Sequence, residues 1–557
     1  MKSIFNKLFA LFLVFATSCE VLDTDVQDTP NALREDQFDI NLLLNNVQLS
    51  TVTFFQGMTD EGMEVTRMTH MFGPLYQNAY FPENFDGNWS TAYATVLADI
   101  RTLIPQAEEL GAWRHTAVAR ILESYVLVGL VDYFGDVPYT EAIQGSDNFN
   151  PRADSGADVY NAALGLLNQA LAELDRSTSL TSTDLFFGGA GILANTTKWR
   201  RVANSLKLRI FVQRRLVDAN AGDSVLAVLN TGDVITSAAD DFIFNYGTNL
   251  ENPNSRHPFF GANYNNGANE YMSNSYMARF LVSPTGFSDP RIRYYFYRQE
   301  TNTNSATVTQ YPCIAFPRPP HYAPSDVFCR IGSGYWGRDH GDDSGIPPDN
   351  LLRTIWGVYP AGGQFDASND TRGRQTSGAI GAGLAPILPA YFVNFLRAEA
   401  ALTLGTGEDA RALMESGIRA SIAKCISQAT LTDPTYTTPR SNGLTPQQEF
   451  QPSADAINSY VNAVLALYDA AGNNTARLEV VITEYYKAAF GNGFEAYNMY
   501  RRTGFPANLQ QTYAVNPGAF IRSFFYPANY VNVNQNANQK PDVDQEVFWD
   551  NRSAVLR

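Results

Sequence analysis

Ala119-Arg-Ile-Leu-Glu-Ser-Tyr-Val-Leu-Val-Gly-Leu-Val-Asp-Tyr-Phe-Gly-Asp-Val-Pro-Tyr139 reads as a helix and its stop. Ala117, Ile121, Tyr125 and Val128 recur at intervals of three and four, which places them on one helical stripe. Ala119, Ser124 and Gly129 are small enough to let a neighbouring helix come close, as paired helices in solenoid repeats do. Gly135 can take a left-handed cap, and Pro138 blocks continuation. Nothing in the stretch carries chemistry.

Similar stripes lie on both sides of it. Val159, Ala163, Leu166, Ala170 and Leu174 form one, and Trp199, Ala203, Leu206 and Ile210 another, with Lys198, Arg200, Arg201, Lys207 and Arg209 on a solvated face. From about Val217 to Pro386 the texture changes to Gly, Pro, Asn, Ser and aromatics, and helical periodicity mostly disappears. It returns at Phe392, Phe395, Leu396, Glu399 and Leu402, then at Ile457, Tyr460, Val464 and Leu467, and at Leu478, Ile482, Tyr485 and Ala489. The expected layout is a helical scaffold over 38–216, a loop-rich, aromatic-rich insert over 217–386, helical scaffold again over 387–510, and an irregular end over 511–557. No clean 34-residue period is visible, so repeats are only suggested.

The start of the chain sets the expected compartment. Lys2 and Lys7 precede the apolar run Leu8–Ala16, which is shorter than the about 20 residues a membrane helix needs. It has signal-peptide length, giving a leader over 1–18. Ala16-Thr17-Ser18-Cys19 resembles a bacterial lipobox, in which Cys19 is lipidated; Ala16 stands where that motif prefers Leu. An ordinary secretory signal with Cys19 incidental is the alternative. Residues 19–37 carry Glu20, Asp23, Asp25 and Asp28 and read as an acidic tether.

At 557 residues the chain exceeds one ordinary core. A net charge of −16 argues against nucleic acid, whose phosphates require basic surface. Five histidines are too few for a His-rich metal centre. The 29 tyrosines and 35 phenylalanines offer flat faces for stacking on sugars or gripping peptides, or simply core. Cys313 and Cys329 flank the Pro-rich loop Phe316–Pro324; a bridge there would add about 3 kcal/mol in the chain-entropy model, but the sequence leaves the pairing open. Cys425, in a helical pattern, reads as a buried thiol.

Four segments carry a family resemblance: Ala119–Tyr139, Lys198–Arg209, Phe395–Leu402 and Gly493–Gly504. In this order, with the lipobox, the chain resembles the SusD/RagB family of nutrient-binding outer-membrane lipoproteins. The resemblance implies a mostly α fold with a tetratricopeptide-like helix-pair scaffold. It also implies a large loop-rich insert carrying the ligand surface, a lipid anchor facing the cell surface, and a SusC-like TonB-dependent transporter as partner. The motifs themselves read as structural, with Arg501 and Arg502 pairing helix carboxylates such as Glu495.

On that pattern two loop stretches are expected to meet ligand. Met71–Pro82 offers Tyr76, Asn78 and Tyr80. The second, Phe259–Tyr271 continued by Tyr335–Arg338, offers Asn263, Tyr264, Tyr271, Tyr335, Trp336 and Arg338. Aromatic faces beside amides and a guanidinium supply stacking plus fixed hydrogen bonds, for an oligosaccharide or a peptide. Aromatics that only pack the loops are the alternative. Asp339, Asp342, Asp343 and Asp349 stand in eleven residues of Gly-rich chain. They suit a structural Ca²⁺ held by Asp339, Asp342 and Asp343, or turn capping. No other cofactor is expected.

The expected function is binding and delivery without catalysis. A secreted, lipid-anchored hydrolase acting on polysaccharide is the competing reading, as is a structural helical-repeat adaptor. Against the hydrolase, Asp342 and Asp343 are adjacent, whereas a carboxylate pair needs about 5–10 Å across a substrate. No G-x-S-x-G, H-E-x-x-H or Cys-His arrangement appears.

Overall fold

The computed structural model describes residues 39–265, 268–281, 285–301, 313, 316–329, 331–344 and 351–550. The leader, Cys19 and the tether lie outside the described residues, as does Asp349. The first helical block comprises α1 (Ile40–Val65), α2 (Ala98–Glu109), α3 (Trp113–Phe134), α4 (Gly156–Leu174), α5 (Thr196–Gln213) and α6 (Ala221–Leu229). After α7 (Asn274–Leu281), the second block holds α8 (Ala390–Leu404), α9 (Ala410–Thr432), α10 (Ala454–Ala470), α11 (Asn474–Ala488) and α12 (Gly493–Thr503). Successive helices pack as neighbours, α1 through α6 and α8 through α12, giving the expected tetratricopeptide-like ladder. The blocks are joined where α12 returns onto α1 and α8 reaches α5.

Helix α3 sits at the centre; every residue but Trp113 and Arg120 is buried. A Cβ at Gly129 would stand 2.9 Å from the Phe494 ring and 3.0 Å from Phe54, so the small residue is what admits α12 and α1. A Cβ at Gly493 would stand 1.9 Å from the Thr59 carbonyl oxygen, so α12 touches α1 backbone to backbone. Gly135 does end α3 at positive φ, but with φ 82° and ψ −119°, outside the left-handed helical cap that the sequence suggests.

The four signature segments meet in the core. Asp132 of α3 accepts hydrogen bonds from Asn498 (2.6 Å), the Trp549 indole (3.0 Å) and the Tyr160 hydroxyl, and faces Arg209 of α5 at 3.5 Å. Arg209 pairs with Glu495 of α12, which also accepts from Tyr485 at 2.8 Å. Arg502 forks onto both oxygens of Glu399 of α8, each at 2.9 Å, and Arg215 reaches the same carboxylate at 2.9 Å. Arg501 donates to the Asp132 carbonyl (2.6 Å) and to Asn498 (2.7 Å). The partner expected for the two arginines is therefore corrected: Glu495 takes Arg209, Arg502 takes Glu399, and Arg501 bonds a backbone carbonyl and an amide. The charges of the four segments thus compensate one another away from water.

The loop-rich segment is pinned at both ends by a short antiparallel pair, β1 (Phe242–Asn245) with β4 (Leu384–Leu388), Phe242 opposite Leu388. Inside it β2 (Phe296–Arg298) pairs with β3 (Thr354–Trp356). Strands this short and almost wholly buried show no alternation, so periodicity misses them. Cys313 and Cys329 form a disulfide, and Cys425 on α9 is a buried thiol that burial pushes up to about 12. The C-terminal segment crosses back to α3, with the Phe524 amide donating to the Tyr133 carbonyl at 2.8 Å.

Candidate ligand-binding loops

Eight of the nine side chains expected to meet ligand are buried: Tyr76, Tyr80, Asn263, Tyr264, Tyr271, Tyr335, Trp336 and Arg338; only Asn78 is exposed. The aromatic faces expected on the surface are thus corrected to interior packing, and their polar tips show why. The Tyr76 hydroxyl accepts from Arg67 at 2.7 Å and lies 3.3 Å from His340. Tyr80 donates to Glu64 at 2.5 Å, its ring edge-on to Phe524. Tyr264 donates to the Trp356 carbonyl at 2.5 Å and accepts from the Gln364 amide at 2.9 Å. Asn263 donates to the Phe259 carbonyl and accepts from the Glu270 amide.

Three of the remaining four, Tyr271, Trp336 and Arg338, form one stacked group with Arg353, and Tyr335 lies apart from it. The guanidiniums of Arg338 and Arg353 lie 5.1 and 4.6 Å from the Tyr271 ring centre, and Arg353 also covers Trp336 at 4.6 Å. The Trp336 indole donates to the Leu352 carbonyl, and Tyr335 lies under Arg298. Large rings dominate buried area, and most of the polar tips found a protein partner that lets them stay inside. Loop composition alone does not separate such rings from exposed ones.

The acidic stretch is also divided by burial. Asp339 is buried, accepting from Asn274 at 2.7 Å; burial and, after it, the nearby Asp342 push its carboxyl up to about 7. Asp342 caps a turn by accepting from the Ser344 amide, while Asp343 is exposed. Among the described residues no three His, Cys, Asp or Glu side chains converge as a metal-binding set. The turn-capping alternative describes Asp342.

The loops leave a different set outward. Leu75, Asn78 and Phe81 of the first stretch are exposed, as are Phe316 and Arg318 of the disulfide-closed loop and Val515 of the segment after α12. These loops are stitched edge to edge. The Tyr76 amide donates to the Pro517 carbonyl at 2.8 Å, the Tyr513 amide to the His340 carbonyl at 2.7 Å, and Gln510 to the Val327 carbonyl at 2.6 Å. The partly exposed rings of Phe328 and Tyr513 lie nearly parallel, 6.2 Å apart. Bonded backbone holds the exposed apolar and amide side chains in place.

A cluster of acids was not anticipated. Asp60, Glu61 and Glu64 follow one another along α1, and Glu270 of the insert joins them. Burial pushes Asp60 up to about 6; burial and then Asp60 push Glu61 up to about 8. Burial holds Glu64 and Glu270 well above the usual range, with Tyr80 donating to one and the Trp356 indole to the other. The spacing of Asp60 and Glu64 at i,i+4, a like-charge pair on one helix, was the available signal.

Comparison with known proteins follows the same lines. Residues 30–316 match the family described as starch-binding, associating with the outer membrane, and residues 385–544 match the SusD and RagB outer-membrane lipoproteins. No curated protein sequence matches the chain. Among solved structures, a SusD/RagB family protein from Bacteroides thetaiotaomicron is 19% identical with a TM-score of 0.66, over 93% of this chain and 100% of that one. A chitin-binding SusD homologue from Flavobacterium johnsoniae is 19% identical with a TM-score of 0.60, over 92% and 98%. At such identities the structures speak for the fold. The family matches lie over the scaffold whose four signature segments lock together, and the chain belongs to the SusD/RagB family of nutrient-binding outer-membrane proteins.

Proposed function

We infer that this protein is a lipid-anchored, cell-surface binding protein that holds an oligomeric glycan on its outward loops. It hands the glycan to a SusC-like TonB-dependent transporter and breaks no bond itself. The observation that carries the reading is the stitched loop surface. Leu75, Asn78, Phe81, Phe316 and Val515 stand exposed on loops tied to one another by hydrogen bonds from Tyr76 to Pro517, Tyr513 to His340 and Gln510 to Val327. Apolar faces beside amides on an ordered frame are what sugar rings and their hydroxyls require. Ordering the frame in advance reduces the entropy lost on binding.

Two related structures are named as chitin-binding, which makes chitin oligosaccharides the first ligands to try. Calorimetric titration of the purified protein is expected to show saturable binding to one glycan class with no product formed. Phe81→Ala and Phe316→Ala are each expected to weaken it by about tenfold or more. Release of shortened product would overturn the binding reading. Peptide binding in place of glycan would move the ligand class. For the partner, detergent extracts of outer membranes should yield the protein together with a large β-barrel; an unlipidated Cys19 and protein free in the medium would defeat anchorage and delivery together.

A further inference from the structure

A cleft of about 460 Å³ opens between α7, α10, α11 and the disulfide-closed loop, within the roughly 300–1,000 Å³ typical of small-molecule sites. Val464, Leu467 and Val480 give it an apolar floor, and Arg279, Asp326 and Glu479 line it as well. At its base Glu484 and Lys487 are already committed. They pair with each other at 2.9 Å, and Glu484 also holds Arg291 at 3.0 Å.

The three other charges are not committed in this way. Arg279 donates to the Asn508 carbonyl at 2.8 Å and, among the described residues, has no carboxylate within ion-pair distance. Burial lowers its guanidinium from the ordinary value, an effect that the nearby tyrosines and, last, Asp326 only partly offset. Asp326 accepts only the Ala323 amide among the described contacts, and Glu479 makes no ion pair there. The cleft thus carries charge of both signs beside an apolar floor. A simple anion would leave the two acids uncompensated, and a simple cation would leave Arg279 so.

The geometry points to a second binding site, beside the glycan-binding loops, for an amino-acid-type zwitterion with an apolar body. The carboxylate meets Arg279, the ammonium meets Asp326 and Glu479, and the apolar side chain lies on Val464, Leu467 and Val480. A free amino acid and a short peptide with both termini free share this chemistry.

Calorimetry on the full mature chain with leucine, leucyl-leucine, N-acetyl-leucine and leucinamide separates the cases. Leucine or leucyl-leucine should bind saturably, and only the second would identify the peptide as the source. Removing either charge, by acetylation or amidation, should weaken binding about tenfold or more. Arg279→Gln should do the same, and Val480→Trp, which fills the cleft, should abolish binding. Thermal unfolding and glycan titration of each variant check that the fold and the loop surface are intact. The site is refuted if neither free ligand saturates below about 10 mM, a Kd too weak to count as a built site. It is equally refuted if the blocked forms bind as well as the free ones, or if both variants bind unchanged. Because glycan is titrated in parallel, failure here leaves the loop reading standing, and the reverse holds too.

Discussion

The helix junction and the rings of the insert loops bury polar groups in different ways. At the junction of α3, α5, α8 and α12, full charges go inside, and each is answered by a charge or amide from a helix far away in sequence. In the insert, beside ion pairs such as Arg298 with Asp366, many rings go inside, and some of their tips settle on backbone carbonyls, as Tyr264 does on Trp356 and Trp336 on Leu352. The first arrangement fixes which helix lies against which, because a slipped helix would strand a buried charge. The second fills space around an irregular backbone and leaves recognition to the few side chains that remain outside. The sharpest way to break the comparison is Glu399→Ala, which strands Arg502 and Arg215. It should cost about 3–5 kcal/mol, the usual penalty for leaving a buried charge uncompensated. Urea unfolding measures it, and a loss under about 1 kcal/mol would mean the junction charges are ornaments on a core that packing alone specifies.

The loops should respond locally where the junction responds globally. Cys313→Ser opens the disulfide-closed loop, releasing up to about 3 kcal/mol of chain-entropy restraint. Amide exchange across 316–329 should quicken and glycan affinity fall, with the urea midpoint of the scaffold nearly unchanged. A matching drop in that midpoint would show the loop to be part of the cooperative core, and the contrast between the regions would then be one of composition only.

How much could be read beforehand follows the same divide. The scaffold helices were legible because α4 and α5 repeat their apolar residues at helical spacing over many turns. The segment carrying Asp132 and the one carrying Glu495 could be recognised, but not that Arg209 joins them. Pairing across 286 residues leaves no local trace. In the loops, Tyr264 and Phe81 look alike in sequence, yet one is wholly buried and the other 62% exposed. The difference rests on whether a ring finds Trp356 and Gln364 waiting, which only the fold decides. Strands β1 to β4 were silent because three to five buried residues carry neither period.

The acids of α1 sharpen the comparison from the other side, as half-buried carboxyls without an ion-pair partner among the described residues. Asp60 Oδ1 and Glu61 Oε2 are covered and make no hydrogen bond. Glu61, ordinarily near 4.5, is pushed up to about 8, so the folded protein favours its protonated form. A raised carboxyl costs nothing while it is protonated in both states. Its cost appears as pH rises past 4.5, when the unfolded chain ionises first, and is complete once pH passes about 8. Glu61→Gln removes that cost. It should leave the unfolding free energy unchanged near pH 4 and raise it near pH 8 by on the order of 1 kcal/mol, with the melting temperature following. Equal melting curves at both pH values would mean that water reaches Glu61 freely. A destabilised variant at pH 8 would mean its charge is held by a partner, as those of Glu399 and Glu495 are.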